Sequence, residues 1–333
     1  MQPASRPRFP LARSVPIAAA LFVLPACTAG TVDSAGGSGG GAPGPVVRIA
    51  VGVDASFAPF FLADAEGLWA KHGVNVDVVQ FAKGGEGVDA LTAGQVQLAG
   101  NSDTTTIGVL AQNPDLRALA VYENSGDYLK AVLGPHVKSP ARIRKMAVVP
   151  GLSELAATRF LESRGIDPAT VDLVTADPAE IPALTKKGDI DAYVLWEPWP
   201  AKGEELGARV VATTGDYGLS YQQWLLATSP WLKANSDTAA KVAAALTEAT
   251  KQAERDPDAA ARATKEAAKV PTEQTVKAIR EIDFGVRDFT TADLKGYRNT
   301  AEFYASTGKV KAAPDVNRAV LGGWLPEHRK EAR

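Results

Sequence analysis

Val46-Val-Arg-Ile-Ala-Val-Gly-Val53 is a short run of mostly β-branched, apolar residues with a single charge, Arg48. It reads as a buried strand. After it, residues 59–72 place Phe60, Phe61, Ala63, Leu68 and Trp69 in a helical pattern that stops at Gly73, and residues 74–79 alternate apolar and polar as a second strand. Strand, helix, strand in that order builds a mostly parallel sheet with right-handed crossovers.

The same alternation runs on toward the C-terminus. A helix over 87–93 ends at Gly94, a strand at 96–100 leads into a helix at 104–112, and 116–121 is another buried strand. A second unit repeats the pattern, with strands at 128–133, 145–149, 171–175, 191–196 and 208–212 and helices at 153–164 and 179–187. Two successive α/β units imply two lobes. The turn-forming residues Glu123-Asn-Ser-Gly-Asp127 suit a first hinge between them. From Ser236 the pattern is almost entirely helical, over 238–255, 257–269, 272–281 and 291–305. Its alanines keep no heptad for several repeats, so these helices are expected to return to the first lobe rather than form a coiled coil.

Toward the N-terminus, Arg6, Arg8 and Arg13 precede an apolar run over 15–24, the order of an export signal. Leu24-Pro-Ala-Cys27 resembles the lipobox of bacterial lipoproteins, and Cys27 is the single cysteine of the 333 residues. Lipidation there would hold the protein to the extracytoplasmic side of a membrane. Residues 28–45 are almost wholly Gly, Ser, Ala, Thr and Pro, a tether unable to bury enough surface to fold. Lys+Arg 36 against Asp+Glu 38, without long runs of either sign, gives nothing of the basic patch that nucleic acid requires. The expected organisation is a signal peptide at 1–27, a tether at 28–45, the first part of lobe 1 at 46–124, lobe 2 at 125–214, and a return to lobe 1 over 215–333.

Within this frame the residues resemble the sulfonate, taurine and nitrate class of ABC-importer solute-binding proteins, which includes thiamine-precursor binders. The likeness rests on Arg48-Ile-Ala-Val-Gly52, Glu66-Gly-Leu-Trp-Ala-Lys-His-Gly-Val-Asn-Val76, Phe81 with Gly84 and Gly85, and Ala90-Leu-Thr-Ala-Gly94. It continues through Asn101-Ser-Asp103, Lys138-Ser-Pro-Ala-Arg142, Gly151 with Ser153, and 189–198. The resemblance implies an α/β, two-lobed periplasmic-binding-protein type II fold. It also implies a monomer without cofactor that captures a small organic ligand and passes it to a membrane permease with its ATPase. The chain has no phosphate loop of its own.

Ligands of open parallel sheets bind beyond the carboxyl ends of the strands. That rule selects the loops carrying Phe57, Lys83, Asn101, Ser102, Asp103, Gly151, Ser153, Glu154, Trp196, Glu197 and Tyr217. Asn101 to Asp103 can cap a helix, meet a ligand, or do both. Gly151 and Ser153 stand where the family cradles an anion at a helix start, whereas Glu154 departs from that pattern. Facing solvent, Glu154 is a helix-dipole partner; facing the cleft, it favours a ligand with an amine or N–H donor. Trp196 is placed to cover a flat or apolar ligand body, while Trp199 packs between the lobes or joins it. Lys83 is the first cation to meet an anion. Three alternatives stay open: a binder of a pyrimidine thiamine precursor, a ligand sensor, and a desulfinase-like enzyme. The last of these would need a cysteine nucleophile, and Cys27 lies in the export signal.

Overall fold

The computed structural model describes residues 44–82 and 84–328; the readings made on Cys27, on the tether and on Lys83 lie outside them. The chain begins with β1 (Val46–Val51), α1 (Ala58–Ala65), α2 (Leu68–Lys71), β2 (Asn75–Gln80), α3 (Gly84–Thr92), β3 (Leu98–Ser102), α4 (Asp103–Val109) and β4 (Leu116–Ser125). It crosses into β5 (Leu129–Leu133), β6 (Lys145–Val148), α5 (Leu152–Ser163), β7 (Asp172–Thr175), α6 (Ile181–Lys187), β8 (Ala192–Trp196), α7 (Trp199–Glu205) and β9 (Arg209–Thr213). It then returns through β10 (Tyr221–Thr228), α8 (Ser229–Arg255), α9 (Pro257–Ala268), α10 (Thr272–Ile279), β11 (Asp283–Arg287), α11 (Thr291–Ser306), α12 (Val316–Ala319) and α13 (Trp324–His328).

Two sheets result, ordered β11-β4-β10-β3-β1-β2 and β7-β6-β8-β5-β9. Both are mixed, where the sequence predicts mostly parallel ones. In the first, β1 to β4 share one direction while β10 and β11 run against them; in the second, only β5 opposes the rest. Two of the three reversed strands, β5 and β10, are the first after a crossing between sheets and enter from the cleft side, so they run backwards; β11 instead follows α10 and rejoins the sheet that β10 belongs to.

Several boundaries move for local reasons. The helix predicted over 59–72 breaks after Ala65 because Gly67 takes the left-handed conformation (φ 64°), which restarts the chain as α2. The predicted hinge at 123–127 begins later, since β4 runs through Ser125 and the crossing is made by 126–128. β10, β11 and the short α7 are additions to the sequence reading.

The C-terminal helices cover the first sheet. Along α8 the buried positions Ala239, Val242, Ala243, Leu246, Ala249 and Ala253 recur at helical spacing, and small side chains let that face lie close against α1, α9 and β11. Ile49, Phe60 and Tyr122 form part of the core beneath, with Phe60 and Tyr122 edge to face at 5.1 Å. Phe60 and Phe61 are therefore core residues, 0% and 2% exposed.

Candidate functional site

A cleft of about 720 Å³ opens between the two sheets, at the ends of β1, β3, β6 and β8. The strand-end rule places ligands on this edge. Phe57, Asn101, Ser102, Gly151, Ser153 and Trp196 line it together. Four other predicted site residues lie elsewhere. Asp103 borders a second cavity of about 650 Å³ beside α11. Glu197 is buried in an ion pair, Glu154 pairs with Lys309, and Tyr217 packs on Phe160.

The first-lobe wall is built by the start of α4. Ser102 Oγ accepts from Thr105 N at 3.3 Å, and Asn101 Nδ2 donates to Thr106 Oγ1 at 2.9 Å. Ser102 thus caps the helix while lining the cleft, because the cap residue of a strand-to-helix turn faces the sheet edge. Asn101 Oδ1 comes so close to α3 that a Cβ on Gly84 would meet it at 2.2 Å. Asp103 is fully buried, and that burial raises its carboxyl to about 7 despite hydrogen bonds from Thr104 and from the backbone of Gln222.

The opposite wall is the start of α5. Gly151 has φ 99°, a region L side chains avoid, and a Cβ there would meet Thr105 Oγ1 of the first lobe at 2.9 Å. No side chain caps α5, so its first-turn N–H groups remain available at a positive helix end bordering the cleft. The Ser153 hydroxyl is already committed. It donates to Val194 O at 2.6 Å and accepts from Val149 N at 3.1 Å, which ties α5 to β8 and leaves only the backbone of Ser153 for a ligand.

Contacts between the lobes bracket the cleft. Glu154 on α5 pairs with Lys309 beyond α11, and Lys309 Nζ also lies 5.2 Å from the Tyr304 ring. Near the crossings, Lys130 Nζ sits 2.7 Å from both Glu197 and Glu281 carboxylates. Burial pulls the Lys130 ammonium down, but hydrogen bonds to Glu197 and Glu281 more than reverse this and hold it above the usual lysine range. Tyr128 OH donates to Asp54 Oδ1 at 3.0 Å, joining the crossing before β5 to the loop after β1.

Tyr221, Gln223, Tyr304, Lys309 and Glu180 also line the cleft, and none was singled out from sequence. Tyr221 and Gln223 belong to β10, which is buried at every position but its last, so no alternation marks them locally. The three histidines are engaged away from the cleft: His72 with Glu248, His136 with Asp191, and His328 with Ser236.

Two α/β lobes joined by strand crossings, with a cleft on their shared edge, form a periplasmic-binding-protein architecture of type II. Residues 40–270 match the NMT1-like family, and the chain belongs to that family. It is 30% identical over 157 residues to the taurine-binding periplasmic protein of Escherichia coli strain K12, a match covering 46% of this chain and 49% of that one. The chain thus spans about half the length of this curated relative. Among solved structures, it resembles the alkanesulfonate-binding protein SsuA of Xanthomonas axonopodis pv. citri bound to MOPS (TM-score 0.73, 19% identity, 84% of this chain and 99% of that one). It is equally similar to the periplasmic aliphatic sulphonate binding protein SsuA of Escherichia coli (TM-score 0.74, 19% identity, 83% and 92% covered).

Proposed function

We propose that this chain is the extracytoplasmic solute-binding component of an ABC importer and captures a small organic sulfonate in the inter-lobe cleft. The observation that carries the reading is the uncapped start of α5 at Gly151, bordering a cleft in a family and fold whose relatives include taurine and sulfonate binders. Free first-turn N–H groups at a helix N-terminus suit an anion. Trp196 covers the ligand body, and Asn101, Ser102 and Phe57 meet it from the first lobe.

On this reading the lobes are 46–124 with 215–333, and 125–214. Ligand stabilises the closed form because it touches both lobes at once. Thr105 against Gly151 and Lys309 against Glu154 form where the lobes meet. The closed protein then docks on a permease driven by a separate ATPase. Cys27 supplies a lipid anchor, and the tether at 28–45 lets the domain reach the permease.

A thermal-shift screen of the purified protein against small sulfonates, nitrate and pyrimidines tests this. Stabilisation by a sulfonate at micromolar to millimolar concentration is expected. Stabilisation by pyrimidines alone would reassign the ligand.

A further inference from the structure

Leu155 on α5 is 2% exposed and is buried in the apolar cluster that holds Ile107, Tyr297, Phe303 and Tyr304. Every other residue of that cluster lies in 46–124 or 215–333, so a side chain of the second lobe is seated in the core of the first. Glu154 and Arg159 flank it. Glu154 pairs with Lys309, and Arg159 Cζ lies 5.5 Å from the centre of the Phe303 ring. Residues 154, 155 and 159 share one helical face, and that face meets the last turn of α11 and the turn after it. The receiving surface is fixed from within the first lobe: Tyr304 OH donates to Thr104 O at 3.2 Å, and Lys309 N donates to Tyr304 O at 2.9 Å.

Glu154, Leu155, Arg159 and Phe303 do not line the cleft, while Tyr304 and Lys309 stand at its rim. We infer that this face of α5 and the end of α11 form a latch, which closes the lobes through contacts of protein with protein whatever the cleft holds. Leu155 is its main element. Opening the lobes returns a buried leucine to water, which shifts the closed-to-open ratio by about tenfold or more. The Glu154 and Lys309 side chains are 30% and 28% exposed, so their attraction is screened by solvent and adds about two- to fourfold.

Two consequences follow from the position of the latch. The closed form is populated before a ligand arrives, and every ligand that needs that form gains the same factor in affinity. A ligand can leave only after the latch breaks, so the latch governs release and not the choice of ligand. The inference goes beyond the proposed function in concerning the open-to-closed equilibrium, and it does not depend on which compound binds.

Small-angle scattering of the purified full chain with no ligand added is the first test. Lys309→Glu sets two carboxylates face to face and should enlarge the radius of gyration, and the swapped pair Glu154→Lys with Lys309→Glu should restore it. Leu155→Ala should enlarge it further. An unchanged radius in Leu155→Ala overturns the latch, and an unchanged radius in Lys309→Glu, or no recovery in the swapped pair, overturns the part given to the ions. If Leu155→Ala does not fold, the reversal and the swap decide alone, since both of their side chains reach solvent. In calorimetry and stopped flow, Leu155→Ala should weaken ethanesulfonate and methanesulfonate by one common factor, about tenfold, through faster dissociation. Different factors for the two compounds would make Leu155 part of ligand selection and overturn the latch. Binding of neither sulfonate by the wild type would refute the sulfonate reading, and scattering would then decide the latch by itself.

Discussion

Replacing Lys130 by Met should be among the most damaging single changes in this protein. The lysine side chain is 8% exposed and its partner Glu197 is 4% exposed, so the pair is almost wholly out of water; Glu281 is 21% exposed. With Lys130 removed, Glu197 keeps one hydrogen bond, from Ala201 N at 3.2 Å, and must either stay charged in the interior or take up a proton. Breaking a buried pair from one side typically costs about 3–5 kcal/mol, a change of about 150-fold or more in the folding equilibrium. Glu281→Gln should cost less, about 1–2 kcal/mol, because its carboxylate is partly solvated. The double variant Lys130→Met with Glu197→Gln should regain most of the loss, since neither charge is then buried alone. Urea unfolding at constant pH and salt gives all three losses from midpoints and slopes. A Lys130→Met loss below about 1 kcal/mol, or no recovery in the double variant, would show that this crossing is not held by the ion pair.

Stability should depend on pH in two separate windows. Asp103, raised by burial from 3.8 to about 7, binds its proton more tightly folded than unfolded, so its contribution is present below about pH 4 and is lost as pH rises to about 7. That loss amounts to about 4 kcal/mol at most, and Asp103→Asn should flatten the urea midpoint across the window. A midpoint that rises between pH 4 and 7 in the wild type and keeps the same slope in the variant contradicts it. Asp293 is held at about 2: burial works against its charge, but bonds from Arg287, Gln222 and Thr290 prevail, so its contribution is present above about pH 4 and disappears as pH falls toward 2. Trp196→Ala should weaken ligand binding about tenfold by lost apolar contact with little change in melting temperature, and unchanged affinity would remove the indole from the site. Gly151→Ala forces a side chain into a left-handed conformation against Thr105, so affinity should fall more than tenfold; wild-type binding would mean that the α5 start does not touch ligand. Fatty-acid labelling of the expressed chain should mark the wild type and spare Cys27→Ala, and equal labelling would remove the lipid anchor from the account.

The sequence is most legible where one local signal governs. Val46–Val51 reads as a strand because branched apolar residues repeat without helical spacing, and Gly73, Gly94 and Gly165 mark stops because each adopts positive φ where it stands. β10 escapes such reading. Tyr221-Gln-Gln-Trp224 places two glutamines inside a central strand, tolerated only because Gln222 binds Asn124 and Asp293 while Gln223 binds Ser56, contacts 71 to 167 residues distant along the chain. β11 is hidden because Asp283–Arg287 is five residues between helices and becomes a strand by pairing with β4. Gly151 and Ser153 are visible as a helix start, yet the commitment of the Ser153 hydroxyl to Val194 depends on β8 lying beside α5. Glu123 reads as a turn residue beside Asn124 and Gly126; that its carboxyl is buried without a partner follows only from its place between β10 and β11.

The central claim is that the cleft captures a small organic sulfonate and releases it unchanged. Titration of the purified protein with a panel of small sulfonates, followed by recovery of the ligand, tests it most directly. The account predicts saturable one-to-one binding of at least one of them with a Kd of about 1 μM or tighter, roughly −8 kcal/mol, and quantitative recovery of the intact compound. Absence of saturable binding for every sulfonate, or consumption of the ligand in proportion to protein, would contradict it.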